Sequence, residues 1–151
     1  MFINNMRIKV KTILIIMNDL TLIGFYKEIL ETAGYTVDVA VGGEVGLSKI
    51  SNSIYDLVLL QFVLTEIQAT DVLRRFYKSG KPQGKIVIFD NLMTKETIEE
   101  AFSLGVDGYE LMCDVTPSEL LNLVNSYIDG SISKEQSRKL SEAKVISSLS
   151  K

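Results

Sequence analysis

Short runs of apolar residues, many of them β-branched, recur along the chain and are separated by longer segments of mixed character. Continuous hydrophobicity over a few residues is typical of strands that are covered on both faces of a sheet. The predicted strands cover residues 12–16, 37–41, 57–60 and 86–89, and a weaker fifth run covers residues 108–112.

The segments between these runs have helical spacing. One apolar stripe contains Leu22, Ile23, Tyr26, Ile29, Leu30 and Ala33, and Gly34 follows it as a C-terminal cap. Further helices are predicted over residues 44–50, 69–78 and 95–104. A fifth helix begins after Thr116, because Thr116 is a capping residue, Pro117 suits the first helical position and Glu119 completes a capping box.

Five repeats of strand and helix predict an α/β fold, a doubly wound five-stranded parallel sheet with helices on both faces. In such sheets the functional crevice lies at the carboxyl ends of the strands. We call this end the mouth of the sheet. It is formed by Met17, Asn18, Gln61, Asp90 and Met112.

The composition of the chain argues against several classes of function. The 151 residues suit one domain, and a net charge of −3 with a pI near 5.0 gives no electrostatic reason to bind nucleic acid or an anionic membrane. The chain has no histidine, so acid–base catalysis by histidine and metal ligation by histidine are excluded. The single Cys113 can form no intrachain disulfide, and a cytoplasmic location is the simplest expectation.

We divide the chain into an N-terminal extension (residues 1–10), a domain (residues 11–130) and a polar C-terminal segment (residues 131–151) that is either a tail or a marginal helix. Within the domain, the segments KTILIIMND, YDLVLLQFVL, KIVIFDN, AFSLGVDGYELM and TPSELLNLV resemble, in order and spacing, the receiver domain of two-component response regulators. The resemblance covers residues 11–129. It implies a flavodoxin-like sheet of order 2-1-3-4-5.

The resemblance also marks five positions as degenerate. Receivers carry an acidic pair, a phosphoacceptor Asp, a Ser or Thr and a Lys at the mouth; here these positions hold, in order, Met17 with Asn18, Gln61, Asp90 and Met112. A neutral amide cannot form an acyl phosphate, and Mg²⁺ prefers charged oxygen ligands. We therefore expect no phosphorylation at Gln61, no metal site, no cofactor and a neutral, partly apolar pocket.

Three side chains have either a functional or an ordinary structural interpretation. Asp90 is either an ordinary loop residue, solvated or on the N-cap side of the loop before helix four, or a fixed mimic of the activated state that holds Asn18, Gln61 or backbone amides. Asp19 could restore the acidic pair, but the gapless spacing from Asn18 to Gly34 assigns it to the position after that pair, which favours its interpretation as the cap of the first helix. Tyr109 lies where receivers carry a switching aromatic residue, but a half-buried tyrosine at a strand edge fits the sequence equally well.

The sequence thus predicts a non-enzymatic pseudo-receiver that acts in phosphorelay signal transduction by protein–protein interaction. The resemblance implies a partner face on helix four, strand five and helix five that includes Tyr109 and Met112, with Asp90 as a further switch or partner residue. It implies partners such as a histidine kinase, an effector or a second copy. Two alternatives stay open. One is a receiver that uses Asp90 or Asp19 as an unorthodox acceptor, and the other is a small-molecule sensor.

Overall fold

The computed structural model describes residues 9–149, so most of the predicted N-terminal extension lies outside the described residues. Its five-stranded parallel sheet has the order β2-β1-β3-β4-β5, as predicted. The strands are β1 (Thr12–Met17), β2 (Thr36–Val41), β3 (Leu57–Leu60), β4 (Lys85–Asp90) and β5 (Gly108–Leu111). The fifth strand is one residue shorter than predicted, because Met112 begins a 3₁₀ turn in which the Val115 amide bonds the Met112 carbonyl.

Six helices accompany the sheet among the described residues. They are α1 (Leu20–Thr32), α2 (Gly43–Asn52), α3 (Ala69–Ser79), α4 (Lys95–Leu104), α5 (Pro117–Asp129) and α6 (Lys134–Leu149). The predicted capping box of α5 is present, with the Thr116 hydroxyl accepting from the Glu119 amide and the Glu119 carboxylate accepting from the Thr116 amide. No helix among residues 9–149 has both the length and the hydrophobicity needed to cross a membrane.

The two faces of the sheet bury separate apolar layers. Side chains of α2, α3 and α4, such as Ile50, Phe76 and Ile98, pack on one face. Side chains of α1 and α5, such as Leu30 and Val124, pack on the other. Because successive side chains of a strand point to opposite faces, a strand that serves both layers must be apolar throughout, which explains the unbroken runs in the sequence.

The sixth helix occupies the segment for which the sequence left tail and helix open. It lies against β5, the edge strand of the sheet, and against α4. The predicted partner face of helix four, strand five and helix five is therefore not an open surface.

Candidate functional site

The topology gathers the predicted mouth residues at one edge of the sheet. Met17 and Asp90 are the last residues of β1 and β4, and Gln61 and Met112 directly follow β3 and β5. Parallel register, with Ile16 opposite Leu60 and Leu60 opposite Ile88, brings these strand ends level with one another.

Two amide side chains connect the first and third strands at the mouth. The Gln61 side-chain oxygen accepts from the Asn18 backbone amide at 2.9 Å. The Asn18 side chain donates to the Val63 carbonyl at 2.8 Å and accepts from the Thr65 amide at 2.8 Å. Asn18 and Gln61 thus hold the loop between β3 and α3 by neutral hydrogen bonds, and neither supplies a carboxylate.

The two methionines make the floor of the mouth apolar. Met17 is fully buried and Met112 is nearly so, and both belong to the apolar layer beneath α1 and α5. A cation at position 112 would be held by acids at the mouth, and without them its burial would be costly. The replacement of the usual Lys by Met112 is therefore consistent with the replacement of the acidic pair and of the phosphoacceptor carboxylate.

Asp90 is the buried charged residue of the mouth, and its carboxylate bonds four backbone amides. One oxygen accepts from the Phe62 and Val63 amides, each at 3.0 Å. The other oxygen accepts from the Asn91 amide at 2.6 Å and the Leu92 amide at 3.4 Å. Asp90 is only 7 % exposed, so its interpretation as a solvated loop residue is wrong. It joins the β3–α3 loop to the β4–α4 loop.

Tyr109 points inward rather than towards a partner. Its side chain is 1 % exposed, its hydroxyl donates to the Leu92 carbonyl at 2.5 Å, and the Thr97 hydroxyl lies 3.1 Å away. Burial raises the pKa of Tyr109 to about 12. The interpretation as a half-buried tyrosine is wrong. The predicted partner-face residues Tyr109, Met112 and Asp90 are all buried, so none presents its side chain on an exposed face.

Asp19 has the capping role predicted for it. Its carboxylate accepts from the Thr21 amide at 2.7 Å and from the Leu22 amide at 3.2 Å, at the exposed start of α1.

A second buried polar cluster, at the β5 edge, was missed from the sequence. Glu110, Ser137 and Ser141 are almost fully buried, and Glu110 and Ser137 both bond the Tyr127 hydroxyl. The sequence contains only weak evidence for this cluster. Ser137 and Ser141 are spaced four residues apart on one helical face, but nothing in the sequence places that face against β5.

The described residues contain no group of three or more acidic, cysteine or histidine side chains placed to hold a metal ion. At the mouth, the polar side chains are two amides and one carboxylate already committed to backbone amides.

These features define a class, the open five-stranded α/β domain whose functional residues lie at the carboxyl edge of the sheet. Residues 13–125 match the response regulator receiver domain family, and the chain belongs to that family.

Relatives and solved structures agree with this assignment. The transcriptional regulatory protein DltR of Streptococcus agalactiae is 33 % identical over 81 residues, which are 54 % of this chain and 36 % of DltR. CrdR of Helicobacter pylori, also a transcriptional regulatory protein, is 26 % identical over 99 residues, or 66 % of this chain and 46 % of CrdR. The chain thus spans less than half the length of these relatives.

A CheY-like receiver domain of Methanospirillum hungatei has a similar structure. The TM-score is 0.74 at 29 % identity, and the match covers 85 % of this chain and 98 % of that one.

Proposed function

We propose that this receiver domain signals without aspartyl phosphorylation, as a non-enzymatic protein interaction module. The observation that carries the proposal is the Asp90 carboxylate, which lies 3.0 Å from the amides of Phe62 and Val63, the two residues after the acceptor position. Amides at such a crevice are natural donors to an oxyanion. Here a carboxylate of the protein itself already uses them.

The acceptor position supports the same proposal. Gln61 is an amide, and its oxygen is committed to the Asn18 backbone. Phosphoryl transfer to a carboxylate also needs charge neutralisation by a metal ion or a cation. Met17 and Met112 supply neither.

The partner is proposed to be a protein. Receiver domains of response regulators contact histidine kinases and effectors, and we extend this to the present chain, with a second copy as a further candidate. We also propose a cytoplasmic location. Because α6 covers the edge of the predicted face, access to that face depends on α6 rather than on a phosphoryl group.

The test is incubation of the purified protein with acetyl phosphate and Mg²⁺, followed by intact mass measurement. The expected result is no increase by one phosphoryl group under conditions that label a receiver domain with the usual acidic residues. A stable phosphoryl adduct on this chain would overturn the proposal.

Two variants test whether Asp90 or Asp19 acts as an unorthodox phosphoacceptor. If an adduct forms and disappears in Asp90→Asn but not in Asp19→Asn, Asp90 is the acceptor, and the reverse pattern identifies Asp19. The structure favours neither, since Asp90 already holds four amides and Asp19 caps α1.

A further inference from the structure

The sixth helix is attached to β5 through the main chain of one residue. The Tyr109 amide donates to the Ser137 hydroxyl at 3.2 Å. The Ser141 hydroxyl lies 2.9 Å from the Tyr109 carbonyl oxygen and 2.8 Å from the Ser137 carbonyl oxygen, so it can donate to either. Both polar groups of Tyr109 thus face α6, on the side of β5 where an edge strand has no neighbouring strand.

A chain of hydrogen bonds extends this attachment into the domain. The Tyr127 hydroxyl is 2.5 Å from a Glu110 carboxylate oxygen and 2.7 Å from the Ser137 hydroxyl. When Glu110 is ionised its carboxylate only accepts, so Tyr127 donates to Glu110 and Ser137 in turn donates to Tyr127. The three hydrogen bonds from the Tyr109 amide through Ser137 and Tyr127 to Glu110 therefore all have the same donor-to-acceptor direction. Ser137 connects Tyr109 of β5 to Tyr127 of α5.

The rest of the α6 contact is loosely packed. The two fully buried side chains of α6 are the serines, whereas Leu140, Ile146 and Leu149 are 56 %, 68 % and 81 % exposed. Grooves of about 290 Å³ run along both sides of α6, one against α4 and one against α5. Val145 is partly buried and packs against the apolar layer beneath α4, so the apolar burial that docks this helix is present but small.

Two further contacts of α6 lie at the surface. The Arg138 guanidinium lies 5.8 Å from the centre of the Phe102 ring, and the Lys134 ammonium donates to the Gly105 carbonyl at 3.3 Å. Contacts of this kind at the surface contribute little. The connection from α5 passes through Gly130, which has a φ of 79° in the left-handed region and ends that helix.

We propose that α6 is a displaceable cover, which opens as one unit about the segment after Gly130 and closes over the α4, β5 and α5 face when the two serines bond Tyr109. Its role as a gate for partners rests on the proposed function above, but its opening does not. Displacement exposes the outer edge of β5 and lets water solvate Glu110 and Tyr127. Those polar groups therefore keep hydrogen-bond partners in the open form.

Amide hydrogen exchange at single residues tests this, because neighbouring amides of β5 point in opposite directions. The Tyr109 amide is protected by α6, whereas the Gly108 and Glu110 amides alternate with it and face β4. If α6 opens alone, Tyr109 exchanges faster than Glu110 and with a weaker dependence on denaturant. Equal rates and equal denaturant dependence for the two amides would show that α6 leaves only on global unfolding, and would overturn the proposal.

The Ser137→Ala/Ser141→Ala double variant, in the full chain, sharpens the test. Losing these bonds should raise Tyr109 exchange by about tenfold or more while Glu110 exchange stays within about twofold. Ser148→Ala, at an exposed position of the same helix, is the matched control and should change neither rate. A double variant with wild-type exchange at Tyr109 would contradict the proposed attachment.

Limited trypsin digestion gives a second readout. Arg138 and Lys139 lie in α6, and Lys27 lies in α1. The double variant should be cut faster at the α6 sites while cleavage after Lys27 is unchanged. Accelerated cleavage at all three sites would indicate general unfolding and contradict selective opening. No result of these measurements bears on phosphorylation, so failure here and failure of the mass test are distinguishable.

Discussion

Two buried carboxylates, Asp90 at the mouth and Glu110 at the β5 edge, are satisfied in different ways. Asp90 accepts from four backbone amides in two loops. Glu110 bonds one side-chain hydroxyl, that of Tyr127, which in turn depends on a serine of α6. Both are about equally shielded, at 7 % and 8 % exposure.

This difference distinguishes the mouth, which is held in place, from the β5 edge, where we propose that α6 moves. Backbone amides of two loops cannot leave Asp90 without rearranging both loops, so the mouth is held in one arrangement. The Glu110 cluster includes a helix that is joined to the domain by a short segment, a few polar contacts and the partly buried side chain of Val145. The change of state that we propose therefore lies at the β5 edge and not at the mouth.

The largest expected effect is the removal of the Asp90 carboxylate. Asp90→Ala leaves four amide donors without their acceptor, and we expect a loss of about 3 kcal/mol in the free energy of unfolding. Asp90→Asn keeps one side-chain oxygen and should lose less. Chemical denaturation measures both.

Asp19→Ala is the control for Asp90, since its carboxylate also accepts from backbone amides but at an exposed helix start. The expected loss there is about 1 kcal/mol. If Asp90→Ala cost no more than Asp19→Ala, the mouth would not be held by this carboxylate.

The fold was predictable because the physics that determines it is local. Buried parallel strands need unbroken apolar runs, and the helices carry their own caps, such as Thr116 and Gly105. Strand order followed from the family resemblance, and the structure confirms it. Strand ends were less certain, since the turn at Met112 depends on one local hydrogen bond.

The sequence predicted where the mouth residues lie, but only part of what each of them does. Spacing placed Met17, Gln61 and Asp90 together, yet the partners of Asp90 are the backbone amides of Phe62 and Val63, which every residue type except proline supplies. The docking of α6 was not predictable, because its buried residues are serines and its larger apolar residues are exposed. Leu140, Ile146 and Leu149 therefore do not mark the face of α6 that packs against the domain.

An intermediate effect is expected at Gly108, which tests the β5 edge cluster. A Cβ atom there would lie 2.2 Å from the Tyr127 hydroxyl oxygen, so Gly108→Ala must displace Tyr127 from Glu110 and Ser137. We expect a loss of about 2 kcal/mol in the free energy of unfolding, as for an overpacked core, together with faster exchange of the Tyr109 amide.

Gly24→Ala is the matched control for Gly108. Gly24 lies within α1, and no heavy atom comes within 4 Å of an added Cβ. That variant should gain ~0.5 to 1 kcal/mol through helix propensity. A Gly108→Ala protein as stable as the wild type would show that the position of Tyr127 does not matter.

The smallest expected effect is a pH dependence carried by Glu110. Burial raises the pKa of Glu110, and the hydrogen bond from Tyr127 and the charge of Lys144 only partly oppose this. Asp114 and Glu119 line the same groove and add negative charge beside it. A carboxyl group whose pKa is higher in the folded state binds more protons there, so its contribution to stability is greatest below its ordinary pKa and falls as the pH rises through the raised pKa.

The measurement must isolate Glu110, because other carboxyl groups have the opposite sign. Burial alone would raise the pKa of Asp38, but the hydrogen bonds from Lys49 and Tyr55 outweigh it and lower the pKa, so its contribution is lost as the pH falls. We therefore compare Tyr109 amide exchange, corrected for its intrinsic pH dependence, in the wild type and in Glu110→Gln. The wild type should show α6 opening more readily as the pH rises above the ordinary pKa of Glu, and the variant should lack this trend. A trend of the same slope in both proteins would mean that Glu110 does not control the docking of α6.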